Sequence, residues 1–138
     1  MQAEADRVGM SPGSAIEVGN LPYERVPPLL RAGKILLQPG HPTKLNRLRL
    51  PSKLQSYLAS GTPTITFAFG CGELLRDREE VLKTYSPAAE ELATRIAELL
   101  GDEPLYERLA DGGPRAARSL FDPEVNARRI VAHYQHWI

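Results

Sequence analysis

The chain has 138 residues, 42% hydrophobic and 25% charged, which suits one folded domain of ordinary size. Seventeen basic and seventeen acidic residues cancel, so no global field draws it to nucleic acid or an anionic membrane, and any anion binding is local. The single cysteine, Cys71, excludes an intrachain disulfide and fits a reducing compartment. No run approaches the roughly 18 apolar residues that span a bilayer. The polar N-terminus does not read as a signal peptide, so a cytoplasmic protein without a transmembrane segment is expected.

Residues 1–10 read as the end of a helix, with Ala3, Val8 and Met10 weakly amphipathic. Ala15 to Val18 reads as a short strand. Pro22 to Ala32 reads as a helix with Val26, Leu29 and Leu30 on one side; Pro27 and Pro28 fit only its first turns. Lys34 to Gln38 is an apolar run between breakers, as expected of a parallel strand covered on both faces. Residues 39–50 read as a long polar loop, of a length that is often functional. Pro51 and Ser52 then mark a helix start, because a serine hydroxyl can accept a bond from a free N–H. Leu54, Leu58 and Ala59 recur at helical spacing, and Gly61 stops the helix.

Thr64 to Phe69 reads as a buried β-branched strand, followed by the loop Gly70-Cys71-Gly72. Val81 to Lys83 reads as a short edge strand. Ser86-Pro87 opens a helix through Leu100; Glu103 to Ala110 and Pro114 to Phe121 follow as two more helices. Asp122-Pro123 opens a last one with Ile130, Val131, Tyr134 and Trp137 on its apolar side. This predicts a single α/β domain over 1–138: a Rossmann-like parallel sheet of about four strands flanked by helices, with a helical tail over 86–138. Ligands of such sheets bind beyond the carboxyl ends of the strands.

Arg47, Arg49 and Lys53 flank the N-terminus of the Pro51–Gly61 helix, where free amides and the helix dipole favour a phosphate. The plainer alternative is a solvated basic loop before an ordinary amphipathic helix. Gly70-Cys71-Gly72-Glu73 reads either as a simple turn or as a loop whose amides face a ligand, with Glu73 accepting from a hydroxyl. There is no GxGxxG fingerprint and no Walker A sequence. His41 is a phosphate donor or a solvated loop residue. His133 and His136 lack the companions a metal site needs, and Cys71 has no histidine partner to activate it.

The segments GNLPYERVPPLLRAGKILLQP, RLPSKLQSYLASGTPTITF and GCGELLRD, with a tail helix ending near LLGD, resemble the C-terminal domain of GT-B glycosyltransferases. The likeness is to the retaining class that includes bacterial mannosyl- and glucosyltransferases, and it covers residues 15–138. It implies a domain that binds a nucleotide-diphosphate sugar as substrate, with no cofactor and no metal, while a separate N-terminal domain holds the acceptor. By that resemblance Arg49, Ser52, Lys53 and Leu54 are diphosphate candidates, Ser56 a ribose candidate, and Gly72 and Glu73 sugar-side candidates. The family's ribose-binding glutamate falls on Ser56, its partner glutamate on Leu48, and a strand aspartate on Lys34. The family's phosphate-binding Arg and Lys belong to a first strand and loop outside this chain. Sugar transfer needs donor and acceptor held together with the leaving diphosphate neutralised, so the isolated chain is expected to be catalytically silent. The alternatives are a non-catalytic interaction subunit of a split glycosyltransferase and a same-fold sugar-nucleotide epimerase fragment.

Overall fold

A computed structural model of the chain describes residues 7–11 and 13–137. Three short parallel strands, β1 (Leu36–Gln38), β2 (Thr64–Phe67) and β3 (Leu82–Thr84), lie side by side in chain order. Leu36 is in register with Thr64, and Ile65 with Leu82. Parallel neighbours need a crossover between them. Helices α2 (Lys44–Leu48) and α3 (Ser52–Ser60) supply it between β1 and β2. Between β2 and β3 the chain uses a 3₁₀ turn, Gly70–Leu74, and the loop 76–81. Helix α1 (Val26–Ala32) precedes the sheet, while α4 (Ala89–Gly101), α5 (Glu103–Phe121) and α6 (Pro123–Gln135) follow it.

Two buried clusters hold these elements together. One joins Leu54 and Leu58 of α3 to Leu75, Val81, Ala116 and Ala117. The other joins Ile65 of β2 and Leu82 of β3 to Leu99, Leu105 and Leu109. Helix α5 contributes to both, so this one element spans the whole core. Helix α3 ends as its sequence requires: Gly61 takes φ 78° and its amide donates to the Leu58 carbonyl at 3.3 Å. Thr62 then donates its hydroxyl to the Leu30 carbonyl at 2.9 Å, tying the entrance of β2 to α1.

The α/β class and the parallel sheet match the expectation, but the described sheet has three strands, not about four. Residues 15–18 are irregular; Ile16 and Val18 are exposed, so that quartet has no sheet neighbour among the described residues. Among the described residues strand β1 pairs with β2 alone, and Leu37 is exposed, so it is not covered on both faces. Residues 39–50 are not one loop, because the Thr43 hydroxyl accepts from the Asn46 amide at 3.2 Å and starts α2. Ser52 is the first helical residue and makes no side-chain cap.

The two helices expected around Gly112-Gly113-Pro114 are the single helix α5. A Cβ on Gly112 would lie 1.7 Å from the Glu79 carbonyl oxygen, and one on Gly113 would lie 3.2 Å from the Leu58 carbonyl oxygen. The glycine pair therefore lets α5 pass against two other backbones, and that packing outweighs its low helix propensity. Asp122 caps α6 as expected, accepting from the Val125 amide at 2.9 Å. The helix end expected over residues 1–10 falls mostly on residues 1–6, outside the described residues.

Candidate functional site

All three strands point their carboxyl ends the same way, and two clefts open there. The larger, about 540 Å³, lies between the end of β1 and the N-terminus of α3. Gln38 and Pro39 form one wall; Arg49, Ser52, Lys53 and Tyr57 form the other. The smaller, about 320 Å³, lies between the ends of β2 and β3 and the start of α4, and shares Gln38 and Pro39 with the first. Its walls are mostly apolar, including Phe67, Pro87 and Leu92, with His41 and Ser86 among the polar groups.

The geometry sorts the candidate residues. Arg49, Ser52 and Lys53 meet in the larger cleft. The first amides of a helix have no intrahelical acceptor; that of Leu54 is nevertheless occupied, donating to the Pro51 carbonyl at 3.0 Å. Leu54 itself is fully buried in the core, so it anchors α3 and lines neither cleft. Ser56 lies on another side of α3, beside Tyr23 and Val26 on one hand and Ala117 and Phe121 on the other. It does not line the cleft that holds Arg49 and Lys53. Gly72 is buried with its α-carbon against the Phe67 carbonyl, where a Cβ would come within 1.7 Å. Glu73 accepts from the Gly70 amide at 3.1 Å, closing its own 3₁₀ turn.

The position of the basic rim is set by contacts below it. Gly70, at φ 60°, sits so close to α2 that a Cβ would be 2.6 Å from the Asn46 carbonyl oxygen. Asn46 in turn donates its side-chain amide to the His41 carbonyl at 2.9 Å. Cys71 lies beneath the rim with Asn46 and Arg49, and burial pushes its thiol pKa up. Among the described residues, no helix is long and apolar enough to cross a membrane, and no group of three or more His, Cys, Asp or Glu could hold a metal ion.

Gln38, Pro39 and Tyr57 had no local signal as cleft residues. One compositional signal is present. Between Glu24 and Glu73 the chain has no acidic residue but carries Arg25, Arg31, Lys34, Lys44, Arg47, Arg49 and Lys53. Whole-chain neutrality conceals that segment. Among the described residues none of these seven cations forms an ion pair.

A glycosyl transferase-like family model matches residues 7–132. Among solved structures, the fold is similar to the C-terminal domain of a group 1 family glycosyl transferase, LpcC, from Francisella tularensis. That match has a TM-score of 0.69 at 18% identity and covers 88% of this chain and 60% of that one. It is also similar to Anabaena Alr3699/HepE in complex with UDP-glucose, with a TM-score of 0.76 at 17% identity. That match covers 99% of this chain but 36% of the HepE chain, so the sequence spans about a third of that protein. The HepE complex with UDP matches with a TM-score of 0.63 at 19% identity, over 82% of this chain and 30% of that one. No curated protein sequence matches the chain. The family match over nearly the whole length and the shared fold together place the chain: it belongs to the glycosyl transferase-like family, with the fold of a GT-B C-terminal domain.

Proposed function

We propose that the chain is the donor-side portion of a cytoplasmic glycosyltransferase and binds a nucleotide-diphosphate sugar in the cleft between β1 and α3. The observation that carries this reading is the convergence of Arg49, Lys53 and the start of α3 on one cleft at the carboxyl end of a parallel sheet. Cations and free helix amides neutralise a diphosphate, and ligands of such sheets bind at that end. The HepE structures carry UDP and UDP-glucose, which supports a uridine diphosphate sugar as the first ligand to test.

In this reading Arg49 and Lys53 hold the diphosphate and disperse the charge that grows on it as the glycosidic bond breaks. Gln38 and Tyr57 line the same cleft and offer hydrogen bonds to the donor. Ser56 is not assigned a ribose contact, because it faces away from that cleft. Gly72 and Glu73 support the rim from below. An acceptor site is supplied by another domain or chain, so this chain alone transfers no sugar.

A second reading is a non-catalytic subunit that keeps the fold and pairs with another polypeptide. Leu48 and Ser56, standing where the resemblance expects glutamates, favour it. Calorimetric titration with UDP and UDP-glucose separates the two. Donor binding predicts saturable heat that Lys53→Ala weakens about ten-fold. Absence of any nucleotide binding, with tight association to a partner chain, overturns the donor reading in favour of the second.

A further inference from the structure

Helix α2 is inside out. Asn46 is its one partly buried residue, turned towards the domain and bonded to the His41 carbonyl. Its leucines point the other way: Leu45 is 67% exposed and Leu48 is 81% exposed. One helical turn apart, they share the outer face with Lys44, and Arg47 flanks it. Leu50 beyond the helix and Leu74 on the adjoining 3₁₀ turn are exposed as well.

We infer that this knob docks on an anionic lipid bilayer, independently of whether the cleft beside it binds a donor. Scattered surface leucines are ordinary, whereas leucines grouped on one short element beside unpaired cations are not. Leucine with lysine and arginine suits the boundary between headgroups and acyl chains: the apolar side chains enter and the cations meet the lipid phosphates. Lys44 and Arg47 on the helix provide the complementary charge, and they outnumber the one carboxylate, Glu73, on the adjoining turn. A second copy of the knob would bring like charges together, which disfavours self-association. Nucleic acid is the poorer match, because the knob offers no aromatic ring for base stacking.

Co-sedimentation tests this with vesicles of phosphatidylcholine, alone or with a third of the lipid replaced by phosphatidylglycerol. The chain is expected to sediment with the anionic vesicles, not with the neutral ones, and less as salt rises. The pairs Leu45→Ser with Leu48→Ser, and Lys44→Gln with Arg47→Gln, are each expected to weaken sedimentation about ten-fold or more. Both pairs should leave the circular dichroism melt unchanged, since these side chains pack against nothing in the core. Failure to bind anionic vesicles overturns the proposal. So does binding that the leucine pair leaves intact, or a dimer in solution that the leucine pair abolishes.

Discussion

Helices α5 and α2 place residue types in opposite ways. In α5 the helix breakers Gly112 and Gly113 are buried, pressed against the backbones of Glu79 and Leu58. In α2 the core formers Leu45 and Leu48 are exposed, and the residue turned inward is an asparagine. In each case a tertiary demand has set aside local preference. For α5 the demand is internal, since the long helix must pass two other backbones to join both halves of the core. For α2 it is the inward bond of Asn46 to the His41 carbonyl, which leaves Leu45 and Leu48 facing solvent among the described residues. The domain is therefore finished around α5 and open around the β1–α3 cleft.

Substitutions can break or sharpen that contrast. Gly112→Ala should be the most damaging, because a Cβ 1.7 Å from a carbonyl oxygen forces α5 off the loop; about 3 kcal/mol or more of stability should be lost in urea unfolding. Leu58→Ala, which removes a fully buried side chain shared by α3 and α5, should cost about 3 kcal/mol. At the open end, Arg49→Gln combined with Lys53→Ala should leave stability nearly unchanged and weaken UDP binding by about 2 kcal/mol. A fall in stability comparable to that of Leu58→Ala would show that the rim belongs to the core after all. Leu45→Ser with Leu48→Ser should shift unfolding by no more than about 0.5 kcal/mol.

The smallest effect is electrostatic. Glu98 of α4 is held between Arg78 and Arg95, and its hydrogen bonds to them, that from Arg78 first, lower its pKa. A carboxylate with a depressed folded pKa stabilises the native state above its ordinary value of 4.5, and the gain is lost as pH falls through the folded value. The cluster is partly exposed, so it contributes about 0.5 kcal/mol. Denaturation profiles at neutral pH and below pH 4.5 should reveal it as an acid sensitivity that Glu98→Gln removes.

What could be read from the sequence was what depends on neighbours in sequence. The Leu54–Leu58 spacing and Gly61 define α3 locally, and Asp122-Pro123 defines the start of α6. The single helix α5 was hidden because the packing that offsets its Gly-Gly-Pro run comes from residues about 30 and 50 positions away. Helix α2 was hidden because its leucines are solvent-facing and its hydrogen-bonded asparagine looks like loop polarity. Arg49, Ser52 and Lys53, the basic wall of the candidate cleft, could be grouped from the sequence because they are neighbours along the chain. The opposite wall, Gln38 and Pro39, could not, since only the crossover from β1 to β2 brings the two together. Ser56 is the converse case: the resemblance selects the residue, and the helical phase of α3 turns it away.

The most direct test of the β1–α3 cleft as the diphosphate site is an amide-resolved NMR titration of the chain with UDP-glucose. The largest shifts should fall on Gln38, Arg49, Ser52, Lys53 and Tyr57, and they should shrink in the Lys53→Ala chain. Shifts confined to the neighbouring cleft, at Ser86 to Leu92, or no shifts at saturating nucleotide, would contradict the account.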